Sequence, residues 1–276
     1  MKKSLRLALL VFPFLFLAAC AASPCQPVTL PQQSFDPAII KSVSVNVDGG
    51  NVVLTGNSKN AIVISGSQAC AKESTLQIGS ANGVLTITST SQRHLFQNPT
   101  DSQVKISIQA PAGVPVQITT DDATTSISQY DGTLKVDSVA GDITALVLAG
   151  EAQLRSGRGD VTLKDSHGVF HVLGEHGILD IESSHGSIDS STIMGTIQYQ
   201  GAPEEGDTVH FEVDHGPVEI TLGENSDLNM TATSTSGDVA CMVPGITQNG
   251  RGCAGVLGKG SASFYVRTVS GAITIQ

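Results

Sequence analysis

The sequence predicts an all-β chain wound as a parallel β-helix, a β-solenoid of about 18 residues per turn built from two 9-residue units. Three observations predict it. Eight glycines stand nine residues apart: Gly132, Gly141, Gly150, Gly159, Gly168, Gly177, Gly186 and Gly195. After nearly every one, the second and fourth residues are apolar, as in Leu134/Val136, Ala152/Leu154, Phe170/Val172 and Leu179/Ile181; Ser190, paired with Ile188, is the exception. Positions two units apart also match, so that Ile118, Val136, Leu154 and Val172 form one column and Ile127, Ala145, Leu163 and Ile181 another.

Apolar residues at offsets two and four have period 2, which marks short strands with one buried face. One such strand cannot bury that face alone. Repeats stacked about 4.8 Å apart can, through a continuous core. The glycine closing each unit is expected to turn the chain, with φ > 0 where the bend needs it. The competing arrangement is an antiparallel meander of hairpins, but a fixed repeat length favours coils.

Residues 1–19 read as a targeting segment rather than structure. Lys2, Lys3 and Arg6 precede an apolar run from Leu7 to Leu17, and Leu17-Ala18-Ala19-Cys20 follows. The order resembles a bacterial lipoprotein signal peptide, with cleavage before Cys20 and lipid on that residue. An ordinary secretory signal with a chance cysteine is the alternative. The residue after Cys20 is Ala21, not Asp, which in Gram-negative lipoproteins implies the outer membrane. Two or more acyl chains would anchor the protein to the membrane firmly. Cleavage takes away three basic residues and no acidic one, so the formal charge falls from −10 to −13. An acidic domain argues against nucleic acid and anionic lipid surfaces as partners.

Residues 20–40 hold the lipidated cysteine and a tether with Pro24, Pro27, Pro31 and Pro37. The solenoid domain is expected over 41–276, with a possible sub-boundary in the polar loop 89–102, where only His94-Leu95-Phe96 interrupts the polar run. Cys25, Cys70, Cys241 and Cys253 remain, an even number in an exported chain, which suggests disulfides. Nearest-neighbour pairing gives Cys25–Cys70 and Cys241–Cys253, the second closing the Gly-rich loop 242–260; free buried thiols are the alternative. Strand patterns begin at Val43-x-Val45-x-Val47 and run through Val104-x-Ile106-x-Ile108 into the glycine ladder. After Gly195 an acidic loop at 202–207 interrupts the period, which recovers at Val209-x-Phe211 and Val218-x-Ile220. The chain ends inside a strand pattern, so its last rung exposes an edge unless it is capped or paired.

The segments Ser44-Val45-Asn46-Val47-Asp48-Gly49-Gly50-Asn51-Val52, Gly141-Asp142-Ile143, Gly159-Asp160-Val161 and Gly237-Asp238-Val239 resemble the bacterial "putative adhesin" β-strand-repeat family, related to the head GIN domain proteins. The likeness covers roughly residues 40–276. It implies a right-handed parallel β-helix in the cell envelope. It brings no catalytic residue with it.

The histidines are the constellation with chemical potential. His167, His176 and His185 each precede a ladder glycine. Stacking places His167 and His185 on one edge, and His176 on the other with Met194 and His215 after it. His171 and His210 share an outward column with Asp189 between them. A metal needs three or four ligands at about 2.0–2.2 Å, and a stacked pair supplies two; Asp165, Glu175 or Glu182 could add a carboxylate. Solvated turn histidines are the simpler alternative. Calcium-binding nonapeptide rolls need Gly-Gly-x-Gly-x-Asp in every unit, whereas Asp follows a ladder glycine here only at Asp142 and Asp160. Lys135, Arg155, Arg158 and Lys164 are scattered, and there is no Trp, which speaks against a polysaccharide lyase. No cofactor is expected. The sequence thus predicts a non-catalytic, lipid-anchored envelope solenoid of the outer membrane with a protein or glycan ligand. A carbohydrate-active β-helix enzyme and a metal-binding envelope protein using the turn histidines are the alternatives.

Overall fold

Period-2 strands joined by short corners stack side by side into two sheets whose apolar faces meet. The computed structural model describes residues 28–68, 74–91 and 104–276, and every regular element among them is a strand. Cys20, Cys25, Cys70 and His94-Leu95-Phe96 lie outside the described residues, and so does most of the loop 89–102. The N-terminal end holds β1 (Val28–Phe35), β2 (Ser42–Asn57), β3 (Ile62–Gln68), β4 (Ser74–Ala81), β5 (Val84–Ser91) and β6 (Val104–Pro111). The middle holds β7 (Val116–Ser128), β8 (Asp131–Ser138), β9 (Ile143–Leu146), β10 (Ala149–Ser156), β11 (Val161–Lys164), β12 (His167–Glu182) and β13 (His185–Gly201). The C-terminal end holds β14 (Thr208–His215), β15 (Val218–Leu222), β16 (Leu228–Ser234), β17 (Val239–Cys241), β18 (Ile246–Asn249), β19 (Gly252–Leu257), β20 (Ala262–Ser270) and β21 (Ile273–Ile275).

The middle pairs in parallel and in register. β8, β10, β12 and β13 follow one another in one sheet, bringing Leu134, Ala152, Phe170 and Ile188 into line. In the other sheet β9, β11 and the second halves of β12 and β13 align Ile143, Val161, Leu179 and Ile197. Val136 stands beside Leu154 in the same file. These side chains are almost wholly buried, and each fully buried Val, Leu, Ile or Phe contributes about 1.5–3 kcal/mol. The parallel ladder excludes a meander for this region.

The corners bear out one expectation and add to it: Gly132, Gly150, Gly168, Gly177 and Gly186 lie at positive φ. The first corner turns on Gln129, Val147, Asp165 and Ser183, four non-glycine residues at φ 47–57°, each three positions before a ladder glycine. Close backbone approach requires the glycines as well. A Cβ on Gly168 would lie 1.9 Å from the Gly150 carbonyl oxygen, and one on Gly186 2.1 Å from that of Gly168. The second file of glycines behaves alike: a Cβ on Gly195 would meet the Gly177 oxygen at 2.3 Å. Serine three residues ahead of glycine braces this second corner. The Ser138 and Ser156 hydroxyls accept hydrogen bonds from the Gly141 and Gly159 amides at 2.8 and 2.9 Å. Asp142 Oδ1 accepts from the Asp160 amide and Asp160 Oδ1 from that of Ile178, each one turn on.

Both ends depart from simple winding. β2 lies between the later strands, pairing in parallel with β7 on one side and with β5 and β6 on the other. Antiparallel β4 covers β5, while β3 and then β1 cover β6. At the other end β20 slides between β14 and β16, and β21 between β15 and β17. The last strand is therefore paired on both sides rather than left as an edge. The antiparallel hairpin β18–β19 closes this end against β16. Cys241, on the file of Ile275, is disulfide-bonded to Cys253, on the file of Ala232, with Cα atoms 6.5 Å apart. The bond ties the two sheets together at the terminal cap.

Candidate functional site

Parallel in-register stacking carries outward residues of successive rungs into straight files, as it does the inward ones. One such file on the outer face of the first sheet runs His171, Asp189, His210, Tyr265. Asp189 sits between the imidazoles, with Oδ1 3.1 Å from His210 Nδ1 and Oδ2 3.5 Å from His171 Nδ1. An ionised carboxylate can only accept, so Nδ1 of His210 donates to it. The Tyr265 ring lies 5.1 Å from that of His210. Beside this file Arg267 donates to Glu212 at 2.9 Å. Side chains of the triad are 41–50% exposed. Exposed pairs of this kind add at most about 1 kcal/mol to stability, so they need not be structural.

A second polar knot forms where the insertion 202–207 leaves the repeat. Asp207 takes the place that a ladder glycine would hold above Gly186. Its buried carboxylate accepts from the amides of Gly186 (2.7 Å) and Glu204 (2.9 Å) and faces His185 Nδ1 at 3.1 Å. These bonds satisfy the corner that the broken repeat would leave open, which is a structural task. Tyr199, packed against Phe211 and Phe264 with ring centroids 5.6 and 5.2 Å away, keeps its hydroxyl buried without a hydrogen-bond partner in the described structure. Burial first, and the Asp207 charge second, push its phenol well above the usual tyrosine range.

The sequence-predicted histidines separate into different surroundings. His167 and His185 are in register on the first corner, with His185 turned to Asp207 and, at 4.0 Å, Glu204. His176, Met194 and His215 are in register on the second corner. The carboxylates that could have joined them are engaged elsewhere: Glu175 with Arg155 at 2.8 Å, Glu182 with Lys164 at 2.5 Å. Among the described residues no group of three or more His, Cys, Asp or Glu is placed to hold a metal ion. Tyr265, Glu212 and Arg267 escape a reading of the sequence, because β20 reaches β14 across 55 residues and no repeat phase announces that distance.

Among the described residues the triad turns both imidazoles to Asp189 rather than to a hydroxyl or thiol. It offers outward acceptors, a phenol ring and a guanidinium on a flat face, which suits hydrogen bonding and stacking. A depression of about 290 Å³, lined by Val139, Arg155, Arg158, Glu175 and His176, lies at the second corner.

Known proteins agree with this fold. The chain is similar to a "putative adhesin" from Bacteroides fragilis, at 12% identity and a TM-score of 0.54, covering 91% of this chain and 97% of that one. It is also similar to a "putative lipid binding protein" from Parabacteroides distasonis, at 10% identity, TM-score 0.44, and 91% and 97% coverage. The first likeness, at a TM-score of 0.54, speaks for the fold alone, and the second carries nothing further. No curated protein matches the chain. The family description "Toastrack DUF4097" matches residues 40–276, and the chain belongs to that family.

Proposed function

We propose that this chain is a lipid-anchored β-solenoid of the bacterial cell envelope that works by binding rather than by catalysis. In this reading it winds right-handed with about 18 residues per turn, a rise that fits the pairing of Gly150 with Gly168 and Gly168 with Gly186. Cys20 carries the lipid, on the evidence of Leu17-Ala18-Ala19-Cys20, and holds the solenoid at the outer membrane. The ligand is a protein or an envelope glycan.

One observation carries the binding role: the straight outward file His171, Asp189, His210 and Tyr265 on a rigid stack. Side chains fixed by a strand ladder lose little further entropy on meeting a partner, so a flat surface can bind without a cleft. The acidic chain disfavours polyanions and leaves polyhydroxyl or protein surfaces. The test is to challenge immobilised full-length protein with fractionated envelope protein and glycan. Saturable binding that drops at least tenfold in His210→Ala and Tyr265→Ala is expected. Equal binding by wild type and both variants would remove the file from any role. A product released from the glycan pool would favour the carbohydrate-active enzyme.

A further inference from the structure

We propose that the second corner carries a site for a soft monovalent metal ion, Cu(I), formed by His176, Met194 and His215. The three residues occupy one position on three consecutive parallel strand segments: His176 pairs with Met194, and Met194 with His215. Each stands immediately before a glycine whose backbone packs on the next, so the corner is held rigid underneath them. All three side chains are exposed, Met194 at 51%.

Surroundings divide the described histidines. His171, His185 and His210 each face a carboxylate. His167, His176 and His215 have no hydrogen-bonding or ionic partner in the described structure, and of these His176 and His215 flank a methionine. Between them stands a thioether, exposed to water with Ile193 beside it, where an apolar side chain gains nothing by burial. Two imidazoles and one thioether form a soft nitrogen–sulfur set. Such a set suits Cu(I), whereas Zn(II) asks for four hard or borderline ligands and alkaline-earth ions for oxygens. The absence of any three-membered group of His, Cys, Asp and Glu among the described residues is consistent with that preference, since a thioether lies outside those ligand types.

The spacing permits the geometry. Neighbouring strands are about 4.8 Å apart, so the two histidine backbones lie roughly 9.6 Å from one another. Each imidazole need lean only part of one rung towards the sulfur to share an ion bound at about 2 Å from nitrogen. Asp214, next to His215, supplies a negative charge to the same corner. Arg158 opposes it from one rung before His176. With a guanidinium so near, a singly charged ion is favoured over a doubly charged one.

The experiment is a Cu(I) titration of the detergent-solubilised full chain without oxygen, after free thiols have been alkylated, against a chromophoric Cu(I) chelator. Ag(I) serves as the redox-inert parallel. Wild type is expected to hold one equivalent, with affinity at least tenfold weaker in His176→Ala, His215→Ala and Met194→Leu, and unchanged in His167→Ala. Met194→Leu keeps the apolar volume, so its thermal unfolding should match wild type. X-ray absorption of the loaded protein should show a mixed nitrogen–sulfur shell that loses its sulfur in that variant. One equivalent held equally by wild type and all three variants, no Cu(I) retained by wild type, or tighter binding of Zn(II) than of Cu(I) would each overturn the assignment.

Discussion

The middle of the molecule and its C-terminal end are built from the same strands and stack on the same files, yet they are assembled differently. From Gly132 to Gly195 each rung pairs with the one before it in sequence, 18 residues away. From Thr208 onward the rungs are out of order: β20 and β21, last in the chain, lie inside rungs made earlier. The glycine contacts do not register the difference. A Cβ on Gly271 would meet the Gly216 oxygen at 1.8 Å, as tight as the 1.9 Å of Gly168 on Gly150. Close stacking therefore depends on the local corner, whereas the order of stacking depends on loops and on which end is capped. Closing the long connections costs entropy that grows only slowly with length, so an inserted terminal rung is thermodynamically permitted. It removes an open edge that would otherwise invite pairing with another chain.

The largest expected effect compares glycines. Gly168→Ala and Gly271→Ala each force a Cβ into a neighbouring carbonyl and are expected to cost more than about 4 kcal/mol, in the range reserved for a specific steric fault. Gly79→Ala, where no atom lies within 4 Å of the added carbon, should stay within about 0.5 kcal/mol. Urea unfolding of the three variants measures this. A mild Gly271→Ala would mean that the last strand is not packed within the stack, and the comparison would fail at its root.

Next come the aromatic cores. Phe170 in the middle and Phe264 in the inserted rung are both almost fully buried. Truncation of either to alanine is expected to destabilise by about 3–5 kcal/mol. Phe264 also meets Phe211 edge-on at 5.5 Å, so its loss should be the larger of the two. A Phe264→Ala cost of under half that of Phe170→Ala would identify the end as the looser region.

The disulfide sharpens the comparison further, because it lies only at the end. It closes a separation of 12 residues, for which the loss of a cross-link costs about 2–3 kcal/mol. Replacing Cys241 and Cys253 by alanine should raise amide exchange across β17–β19 while the middle keeps its protection. Uniform exchange throughout would show that the cap and the middle unfold as one unit.

What could be read from the sequence follows the same divide. Alternation and the glycine spacing specified the middle, down to the neighbours Val136 and Leu154, since each strand meets a partner at a constant distance along the chain. The file of His171, Asp189 and His210 was legible for that reason, and Tyr265 was not, because its rung arrives from beyond the cap. Glycine was expected to be the turning residue, and Gly150, Gly168, Gly177 and Gly186 do lie at positive φ; the first corner bends as well at Gln129, Val147, Asp165 and Ser183, whose side chains share no common chemistry. For a β-branched residue such as Val147 the left-handed conformation is unfavourable, and local sequence offers no reason to place it there. The stack fixes that bend: the amides of Gln129, Val147, Asp165 and Ser183 donate to the carbonyls of Leu146, Lys164, Glu182 and Gln200 on the next rung.

The smallest expected effect tests two buried phenols, Tyr130 just before β8 and Tyr199 in β13, where it packs against the aromatics of the C-terminal end. Tyr130 donates to the Val114 carbonyl, whereas the Tyr199 hydroxyl is orphaned. Tyr130→Phe should therefore destabilise by about 1 kcal/mol, and Tyr199→Phe should be neutral or stabilising by a similar amount, since it removes a buried group with no partner. The alkaline limb adds a sign that each variant must obey. Both phenols are raised, by burial first and then by Asp131 for Tyr130 and Asp207 for Tyr199. In the unfolded chain they ionise near pH 10, while in the fold they stay protonated to higher pH, so the fold binds more protons and its stability falls as pH rises above about 10. Below that pH the contribution is fully present. Melting temperatures followed from pH 8 to 11 should fall more gently in either variant than in wild type, with Tyr199→Phe starting from the higher value. A wild-type slope retained in Tyr199→Phe would mean that this phenol ionises within the fold, and that the core around Phe211 and Phe264 admits water.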